Sequence, residues 1–230
     1  MAKARMSKIP KSKFHVDFCY FAQLEETLSS FAAKKYGSVL DFGAGHSPYR
    51  CFFDCERYVT VDIEQNQEQN IDHVIGVGES IPCEDDSFDL VICMDVLEHC
   101  PDTFATLSEL RRVLKKEGLL LVLVPFLYRE HEMPADFHRF TSVGMAKALG
   151  DVGMRDIEVY KLGNRWYTVA ATWFEMHIEH GETYTKGIFS RIIRKLASLF
   201  IFPILNVTIF KPYPTLDEST FHHLLTSCKK

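Results

Sequence analysis

The stretch Val39-Leu40-Asp41-Phe42-Gly43-Ala44-Gly45-His46-Ser47 decides the fold. An apolar, strand-compatible run leads to an acidic residue and then to a turn in which one residue separates two glycines. Because glycine has no Cβ, Gly43 and Gly45 can adopt backbone angles that are closed to other residues, and they let the main chain approach a ligand closely. Asp41 leaves a carboxylate at the tip of the strand. This pattern is typical of a parallel strand that presents a nucleotide-like ligand at its carboxyl end.

A second acidic residue follows a second apolar strand about twenty residues further on, as expected in this kind of fold. Val59-Thr60-Val61 leads to Asp62. A carboxylate has two acceptor oxygens and therefore suits the two hydroxyls of a ribose. The alternative for Asp62 is an ordinary acid that caps a strand-to-helix turn.

Two later segments complete a recognisable series of motifs: Ser87–Met94, and Asp95-Val96-Leu97-Glu98-His99. With these motifs in this order, the chain from about Gly37 to Tyr160 resembles the class I S-adenosylmethionine-dependent methyltransferases of the methyltransferase type 11, or ubiquinone-type, superfamily. The resemblance implies an α/β fold, with a doubly wound, mostly parallel Rossmann-like sheet, helices on both faces and a helical C-terminal extension. Two positions depart from the family pattern, because Ser47 replaces a third glycine and Val77 replaces an aspartate that often faces adenine.

The resemblance also implies the cofactor S-adenosyl-L-methionine and the product S-adenosyl-L-homocysteine. A first crossover helix is expected to open at His46-Ser47-Pro48-Tyr49, where free backbone N–H groups favour the methionine carboxylate. The cofactor-binding residues that the resemblance implies are Asp41, Gly43, Ala44, Gly45, Asp62, Ile63, Gly78, Glu79, Met94 and Asp95.

Composition narrows the class of protein. The chain has 230 residues, 47% of them hydrophobic, which fits one domain with appendages. A net charge of -5 argues against a broadly basic nucleic-acid-binding surface, so no nucleic-acid partner is expected. Seven cysteines without a paired pattern indicate reduced thiols and a cytoplasmic protein. Cys51 and Cys55 lack a second pair at zinc-finger spacing, so no metal site is predicted.

The chain divides into four predicted regions. Residues 1–13 form a flexible basic N-terminus without a signal peptide, residues 14–162 the methyltransferase domain, residues 163–211 a helical, partly apolar extension of it, and residues 212–230 a polar tail. Apolar spacing predicts helices over Asp17–Tyr36, Asp102–Lys116, Thr141–Leu149 and Trp166–His180. Strands are predicted over Ile71–Val77, Phe88–Met94, Leu119–Val124 and Arg155–Leu162.

The segment from Pro125 to Thr141 concentrates reactive side chains after the fifth predicted strand, and loops at this edge of a sheet carry function more often than stability. Histidine is the natural general base near neutral pH, so His131 and His138 are the candidate bases for a hydroxyl acceptor, with Asp136 as their orienting carboxylate. His99 either assists catalysis or orders its loop by hydrogen bonding. A metal site formed by His131 and His138 lacks any recognised ligand spacing.

The same loop contains the candidate substrate-binding residues Tyr128, Arg129 and Arg139. Either arginine can hold a carboxylate or phosphate of the acceptor by paired hydrogen bonds. The alternative, given equal weight, is an ion pair between Arg139 and Asp136 that braces the loop. The sequence Asp-Phe-His-Arg-Phe-Thr at its end resembles a pattern in a subset of bacterial methyltransferases, including members encoded among cell-envelope sugar genes.

Ile188–Phe200 reads as a basic amphipathic helix, followed by further apolar residues past Pro203. The run is too short and too interrupted to span a membrane. It is expected either to lie on a membrane surface or to pack on the domain or against a second subunit in a homodimer.

These observations predict a cytoplasmic or membrane-peripheral methyltransferase that acts on oxygen of a small-molecule, sugar or lipid-linked acceptor. Met94-Asp95-Val96-Leu97 stands where an Asn-Pro-Pro-Tyr-like motif would indicate methylation of an amide or base nitrogen. A non-catalytic binding protein with the same cofactor fold is the alternative. A nicotinamide-dependent oxidoreductase is disfavoured, because Pro48 stands where the dinucleotide fingerprint needs its last glycine.

Overall fold

The computed structural model describes residues 18–163 and 222–230, with Thr168, Ile192, Lys195, Leu196, Leu199 and Phe200 as single positions between them. The described helices and strands are α1 (Phe18–Ala32), β1 (Tyr36–Phe42), β2 (Cys55–Asp62), β3 (His73–Val74), β4 (Phe88–Met94), α2 (Thr103–Val113), β5 (Leu114–Pro125), α3 (Ser142–Asp151), β6 (Arg155–Leu162) and β7 (His223–Lys229).

The strands form one sheet in the order β3-β2-β1-β4-β5-β7-β6. The pairs β3–β2, β2–β1, β1–β4 and β4–β5 are parallel, and β7 is antiparallel to both of its neighbours. The predicted doubly wound, mostly parallel sheet is therefore confirmed. Because the parallel strands run in the same direction, their carboxyl ends share one edge, where ligands bind in folds of this type.

Strand β4 is buried on both faces. Val91 and Cys93 point into a core that α2 and α3 cover, whereas Leu90 and Ile92 point into a second core that α1 covers. This alternation explains why β4 reads as an almost continuous apolar run, since each face has its own helical layer. Asp102 is the N-cap of α2, where its side chain accepts the N–H of Ala105, and Thr141 is the N-cap of α3, where its hydroxyl accepts the N–H of Gly144.

Several predicted boundaries differ from the structure. The helix predicted over Asp17–Tyr36 ends at Ala32, and Tyr36 already begins β1. No α-helix opens at His46-Ser47-Pro48-Tyr49; the short connection to β2 contains only a 3-10 turn, Arg50–Phe52, and Ser47 has φ +47°, outside the right-handed helical region. The helix predicted to reach Lys116 ends at Val113, because Leu114 is already extended and begins β5 beside Phe88. The third strand is limited to His73–Val74.

The predicted polar tail is wrong for its last part. His223–Lys229 forms β7, which inserts between β5 and β6 and is buried along most of its length. Leu225 pairs with Leu123 on one side and with Tyr160 on the other. The polar residue types of this strand predict an exposed segment. In the structure the neighbouring strands bury these polar residues as well as the leucines.

Three predicted segments lie outside the described residues: the basic N-terminus of residues 1–13 and the helices over Trp166–His180 and Ile188–Phe200. Only single positions of the two helices are described. Within the described part of the chain, no helix combines the length and apolar composition required to cross a bilayer.

We expect Leu225→Ala to lower the free energy of unfolding by about 2–5 kcal/mol, because the side chain is fully buried in β7 and its removal leaves a cavity. Urea denaturation measures the change. Val143→Ala, at a side chain that is 78% exposed on α3, is the control and should change stability by less than about 0.5 kcal/mol. Equal effects of the two substitutions would contradict the placement of β7 in the core.

Candidate functional site

The glycine turn after β1 is held against β2. Gly43 and Gly45 have φ values of +71° and +51°, which glycine adopts without strain. The N–H groups of Gly43 and Ala44 both donate to the carbonyl oxygen of Val61, at 2.8 and 3.1 Å. A Cβ on Gly43 would lie 2.2 Å from Cγ2 of Val96, in the segment after β4. Gly43 is therefore required by packing as well as by its backbone angles.

Asp62 closes this turn at the end of β2. Its Oδ2 accepts the N–H of Gly45 at 2.7 Å, and its Oδ1 accepts the N–H of Ile63 at 2.7 Å. The carboxylate thus lies directly beside the glycine turn, at the shared edge of the sheet. The side chain of Ile63 is 62% exposed, which leaves an apolar surface next to this carboxylate.

Asp41 lies beneath the turn and is buried. Its Oδ2 accepts the hydroxyl of Tyr58 at 2.8 Å. Burial raises the pKa of Asp41 to about 7, and the hydrogen bond from Tyr58 opposes that rise. Asp41 is buried behind the turn, and its carboxylate does not reach the surface, so it can stabilise the turn but does not line the exposed edge of the sheet.

The remaining predicted cofactor residues follow β3 and β4. Met94 ends β4, and Asp95, with φ +55°, donates its N–H to the carbonyl oxygen of Leu123. Gly78, with φ +79°, and Glu79 lie in the turn after β3, where Oε2 of Glu79 accepts the N–H of Gly76 at 2.8 Å. These turns and the glycine turn all stand at the carboxyl ends of parallel strands.

A buried carboxylate and two imidazoles meet beside the segment after β4. Glu98 is fully buried, and its Oε1 lies 3.8 Å from Nε2 of His99 and 3.9 Å from Nε2 of His131. Burial is the main cause that raises the pKa of Glu98 to about 9, and the negative charge of Asp95 adds to it. The rings of His99 and His131 meet edge to face, with their centroids 4.8 Å apart.

The loop 125–141 is braced by an ion pair between Arg139 and Asp136. The two guanidinium ends donate to the two carboxylate oxygens at 2.6 and 2.7 Å, and they also donate to the carbonyl oxygens of His138 and Arg129. This arrangement is the bracing alternative for Arg139. The hydrogen bond from Arg139 holds the pKa of Asp136 well below its usual range.

His131 lies against the braced carboxylate. Its backbone N–H donates to Oδ2 of Asp136 at 2.9 Å, and its Nδ1 lies 3.2 Å from the same oxygen. Burial lowers the pKa of His131, so the imidazole is neutral at physiological pH. Asp136 therefore faces one nitrogen of the ring, while the other faces Glu98.

The other two candidate bases make different contacts. Nδ1 of His99 lies 2.7 Å from the carbonyl oxygen of Ala135, which ties the segment after β4 to the loop. His138 packs between Phe137 and Phe140, with ring centroids 6.2 and 5.6 Å away. The structure thus groups His99, His131 and Asp136 around Glu98, and it gives His138 an aromatic environment.

Tyr128 belongs to an aromatic cluster that sequence reasoning did not identify. Its ring lies 5.1 Å from His131, 5.4 Å from His222 and 5.7 Å from His223, and His223 stacks on Tyr20 at 4.5 Å. Nε2 of His223 also lies 3.6 Å from Oδ1 of Asp95. In the sequence, the adjacent pair His222-His223 is the only sign of this cluster. The pair could not be assigned to the cluster without knowing that β7 lies next to β5. Arg129 extends over the Tyr128 ring at 5.9 Å.

Comparison with known proteins agrees with this geometry. Residues 40–122 match the family model described as a methyltransferase domain. The ubiquinone/menaquinone biosynthesis C-methyltransferase UbiE of Pseudoalteromonas translucida is 36% identical over 92 residues, which are 40% of this chain and 36% of that protein. An uncharacterized protein of Methanocaldococcus jannaschii, MJ0638, is 33% identical over 115 residues, 47% of this chain and 49% of that protein. The chain thus spans less than half the length of these curated relatives.

Solved structures show the same fold. A chain of the Haloferax volcanii complex between the Trm112 methyltransferase activator and a methyltransferase aligns with a TM-score of 0.56 and 17% identity, covering 99% of this chain and 96% of that one. Phosphoethanolamine N-methyltransferase 2 of Haemonchus contortus, in complex with S-adenosyl-L-methionine, aligns with a TM-score of 0.57 and 16% identity, covering 98% of this chain and 59% of that one. The predicted resemblance is confirmed.

We expect Gly43→Ala to destabilise the protein by about 1–3 kcal/mol more than Gly78→Ala, because only the first substitution forces a methyl group into Val96. Both glycines have positive φ, so Gly78→Ala, with open space around it, controls for backbone strain. The measurement is urea denaturation. Adding Val96→Ala to Gly43→Ala should recover part of the loss, and an equal loss for both single variants would refute the steric account.

Proposed function

We propose that the protein, whose residues 40–122 match the family model of a methyltransferase domain, is an S-adenosylmethionine-dependent enzyme that transfers a methyl group to oxygen of a small-molecule, sugar or lipid-linked acceptor. One observation carries the proposal: the glycine turn with Asp62 lies at the edge of the sheet that also receives the histidine loop 125–141. A methyl donor held at the turn would thus face side chains able to handle a proton.

The cofactor site follows from the contacts around Asp62. Its two oxygens already lie at the turn, where ribose hydroxyls can donate to them. Ile63 and Val77 are more than half exposed after β2 and β3, and they offer apolar surface to a purine ring. Val77 would hold adenine by packing, and the backbone of Gly78 and Glu79 would supply the polar contacts. Met94 and Asp95 close the site from the end of β4.

The chemistry of methyl transfer sets what the loop must supply. An acceptor oxygen displaces the sulfonium in line, the new C–O bond forms as the C–S bond breaks, and the bonding electron pair returns to sulfur. Positioning of the two reactants therefore contributes much of the rate. A hydroxyl acceptor also has to lose its proton, and a neutral imidazole near Asp136 suits that task. His131 is the side chain to which we assign it, with Asp136 as the orienting residue.

The proposal for oxygen rests on this proton-handling pair. The two named relatives above act, by their names, on carbon and on nitrogen, so the fold alone does not select the acceptor atom. An amine can react as the free base without a neighbouring general base, whereas a hydroxyl has to be deprotonated. A braced carboxylate beside a neutral histidine therefore favours a hydroxyl acceptor over an amine.

The loop also carries apolar side chains that suit an acceptor with a lipid or other apolar part. Leu127, Met133 and Phe137 are exposed on it. Arg139 is committed to Asp136, and Arg129, beside Tyr128, is the side chain that we assign to an acidic group of the acceptor. Contact with a membrane surface at the cytoplasmic side, or with a second subunit through residues 188–210, belongs to the same proposal.

We expect Asp62→Asn to weaken binding of S-adenosylmethionine and S-adenosylhomocysteine by about 10- to 100-fold, because the ribose would lose charged hydrogen-bond acceptors. Isothermal titration calorimetry measures both affinities. Glu64→Gln, at an exposed side chain two residues further on, is the matched control and should bind like the wild type. If the folded wild type bound neither ligand, the methyltransferase proposal would be refuted.

We expect His131→Asn to lower the rate of methyl transfer by about 100-fold or more and to leave cofactor affinity unchanged, because only proton handling is lost. The assay measures S-adenosylhomocysteine released with sugar nucleotides and lipid-linked glycans as acceptors. Glu130→Gln, at the exposed preceding residue, is the control. Cofactor binding without turnover on any acceptor would instead support the non-catalytic alternative.

A further inference from the structure

Glu98 is a buried acid whose carboxyl group lacks the hydrogen-bond partners that buried polar groups normally have. Its side chain is 0% exposed, and neither carboxylate oxygen has a hydrogen-bond partner among the described residues. Its backbone carbonyl accepts the N–H groups of Phe137 and His138, which holds the loop 125–141 over the acid. Buried polar groups in native proteins are satisfied almost without exception, so an orphaned carboxylate points to a group that is bound there.

Two histidines direct nitrogen atoms at the same oxygen. Nε2 of His99 and Nε2 of His131 lie 3.8 and 3.9 Å from Oε1 of Glu98, too far for hydrogen bonds and close enough to share a small ion. A direct ion pair would draw these atoms to about 2.7–2.9 Å, so the carboxylate and the imidazoles are held apart around a common centre.

An acceptor lies beside the other nitrogen of each ring, within hydrogen-bond distance for His99 and as a near neighbour without a hydrogen bond for His131. Nδ1 of His99 lies 2.7 Å from the carbonyl oxygen of Ala135, and because a carbonyl only accepts, Nδ1 carries the hydrogen and the neutral ring keeps its lone pair on Nε2. Nδ1 of His131 lies 3.2 Å from Asp136, which Arg139 fixes in place. Metal-binding histidines characteristically have such a carbonyl or carboxylate behind the ring.

We propose that Glu98, His99 and His131 bind a divalent transition-metal ion. Their donor atoms lie within 4.8 Å of one another. Around a tetrahedral ion with bonds of about 2.0–2.1 Å, neighbouring ligand atoms are about 3.4 Å apart, so the three side chains need to move inward only slightly. Two imidazoles and one carboxylate form a borderline-soft set that suits Zn²⁺, Co²⁺, Mn²⁺ or Fe²⁺ better than Mg²⁺ or Ca²⁺.

The fourth position is open to a mobile group or to the acceptor. Glu132 is the nearby candidate, because its Oε2 lies 3.7 Å from Nε2 of His99 and its side chain is 76% exposed. An exposed side chain can swing away, which leaves a coordination position for water or for an acceptor hydroxyl. Catalytic zinc sites likewise combine three protein ligands with one exchangeable position.

The proposal that an ion binds here is independent of the proposed function. The proposal that the ion takes part in catalysis rests on the proposed function. A hydroxyl coordinated to the ion loses its proton more readily, and that proton passes to solvent. The resulting alkoxide oxygen then bonds to the methyl carbon as the C–S bond of the sulfonium breaks. In the metal-bound protein His131 would act as a ligand, so its effect on turnover would pass through the ion.

The test uses the full chain, stripped of metal with a chelator and then titrated with Co²⁺. We expect one equivalent to bind and to give the visible absorption of a low-coordinate Co²⁺ site. Glu98→Gln and His99→Asn should each abolish that absorption and weaken binding by more than about 100-fold. His46→Asn, at a histidine paired with Glu68 elsewhere at the sheet edge, is the control and should bind Co²⁺ like the wild type.

Two further measurements keep the result interpretable. Circular dichroism of the metal-free variants establishes that they are folded, and His99→Asn serves if Glu98→Gln is not. Asp62→Asn should retain Co²⁺ binding, because its defect concerns the cofactor only. Absence of stoichiometric binding to the wild type, or an unchanged spectrum in the folded variants, would overturn the metal site while leaving cofactor binding intact. Co²⁺ binding without affinity for S-adenosylmethionine would instead refute the proposed function alone.

Discussion

Strand β4 has no face in contact with solvent, and this constraint organises the molecule around it. A strand buried on both sides needs a helical layer above and below, and here α1 covers one layer while α2 and α3 cover the other. It also needs a neighbouring strand on each edge, which β1 and β5 provide in parallel. The segment that leaves β4 can emerge only at the carboxyl edge of the sheet, so Asp95, Glu98 and His99 have to lie there.

The carboxyl edge contains two chemically distinct halves. On the side of β1 and β2, polar contacts are made largely by backbone N–H groups and by Asp62. On the side of β4 and β5, titratable side chains converge, and the acids are either paired, as in Asp136 with Arg139, or buried without a hydrogen-bond partner for the carboxyl group, as in Glu98. A surface lined by backbone groups and one carboxylate suits a cofactor that is bound and released, whereas side chains with altered pKa values suit chemistry.

Much of the fold could be predicted because local chemistry decides it. The two glycines after β1, the apolar run of β4 and the limits of β6 and α3 are set by residues that neighbour one another in the chain. Other features depend on distant residues. β7 is buried because β5 and β6 lie on either side of it, and nothing in its own composition indicates this. Glu98 appears in sequence as an ordinary acid in a turn, whereas in the structure it is fully buried and its backbone carbonyl is hydrogen-bonded to the distant loop 125–141. The first crossover helix is absent because the connection between β1 and β2 is short and Ser47 adopts a positive φ.

The insertion of β7 also has a consequence for how the protein folds. In the described sheet β6 pairs only with β7, and Leu121 of β5 pairs with Ser227, far along the chain. Pairing between distant segments carries a large loop-closure cost and slows folding. Until β7 arrives, the edge of β5 offers unpaired backbone groups to other chains, which is a hazard for aggregation. Tyr128 gains the neighbouring rings of His222 and His223 only when this strand pairs with β5, so the rim of the site depends on a segment that is distant in the chain.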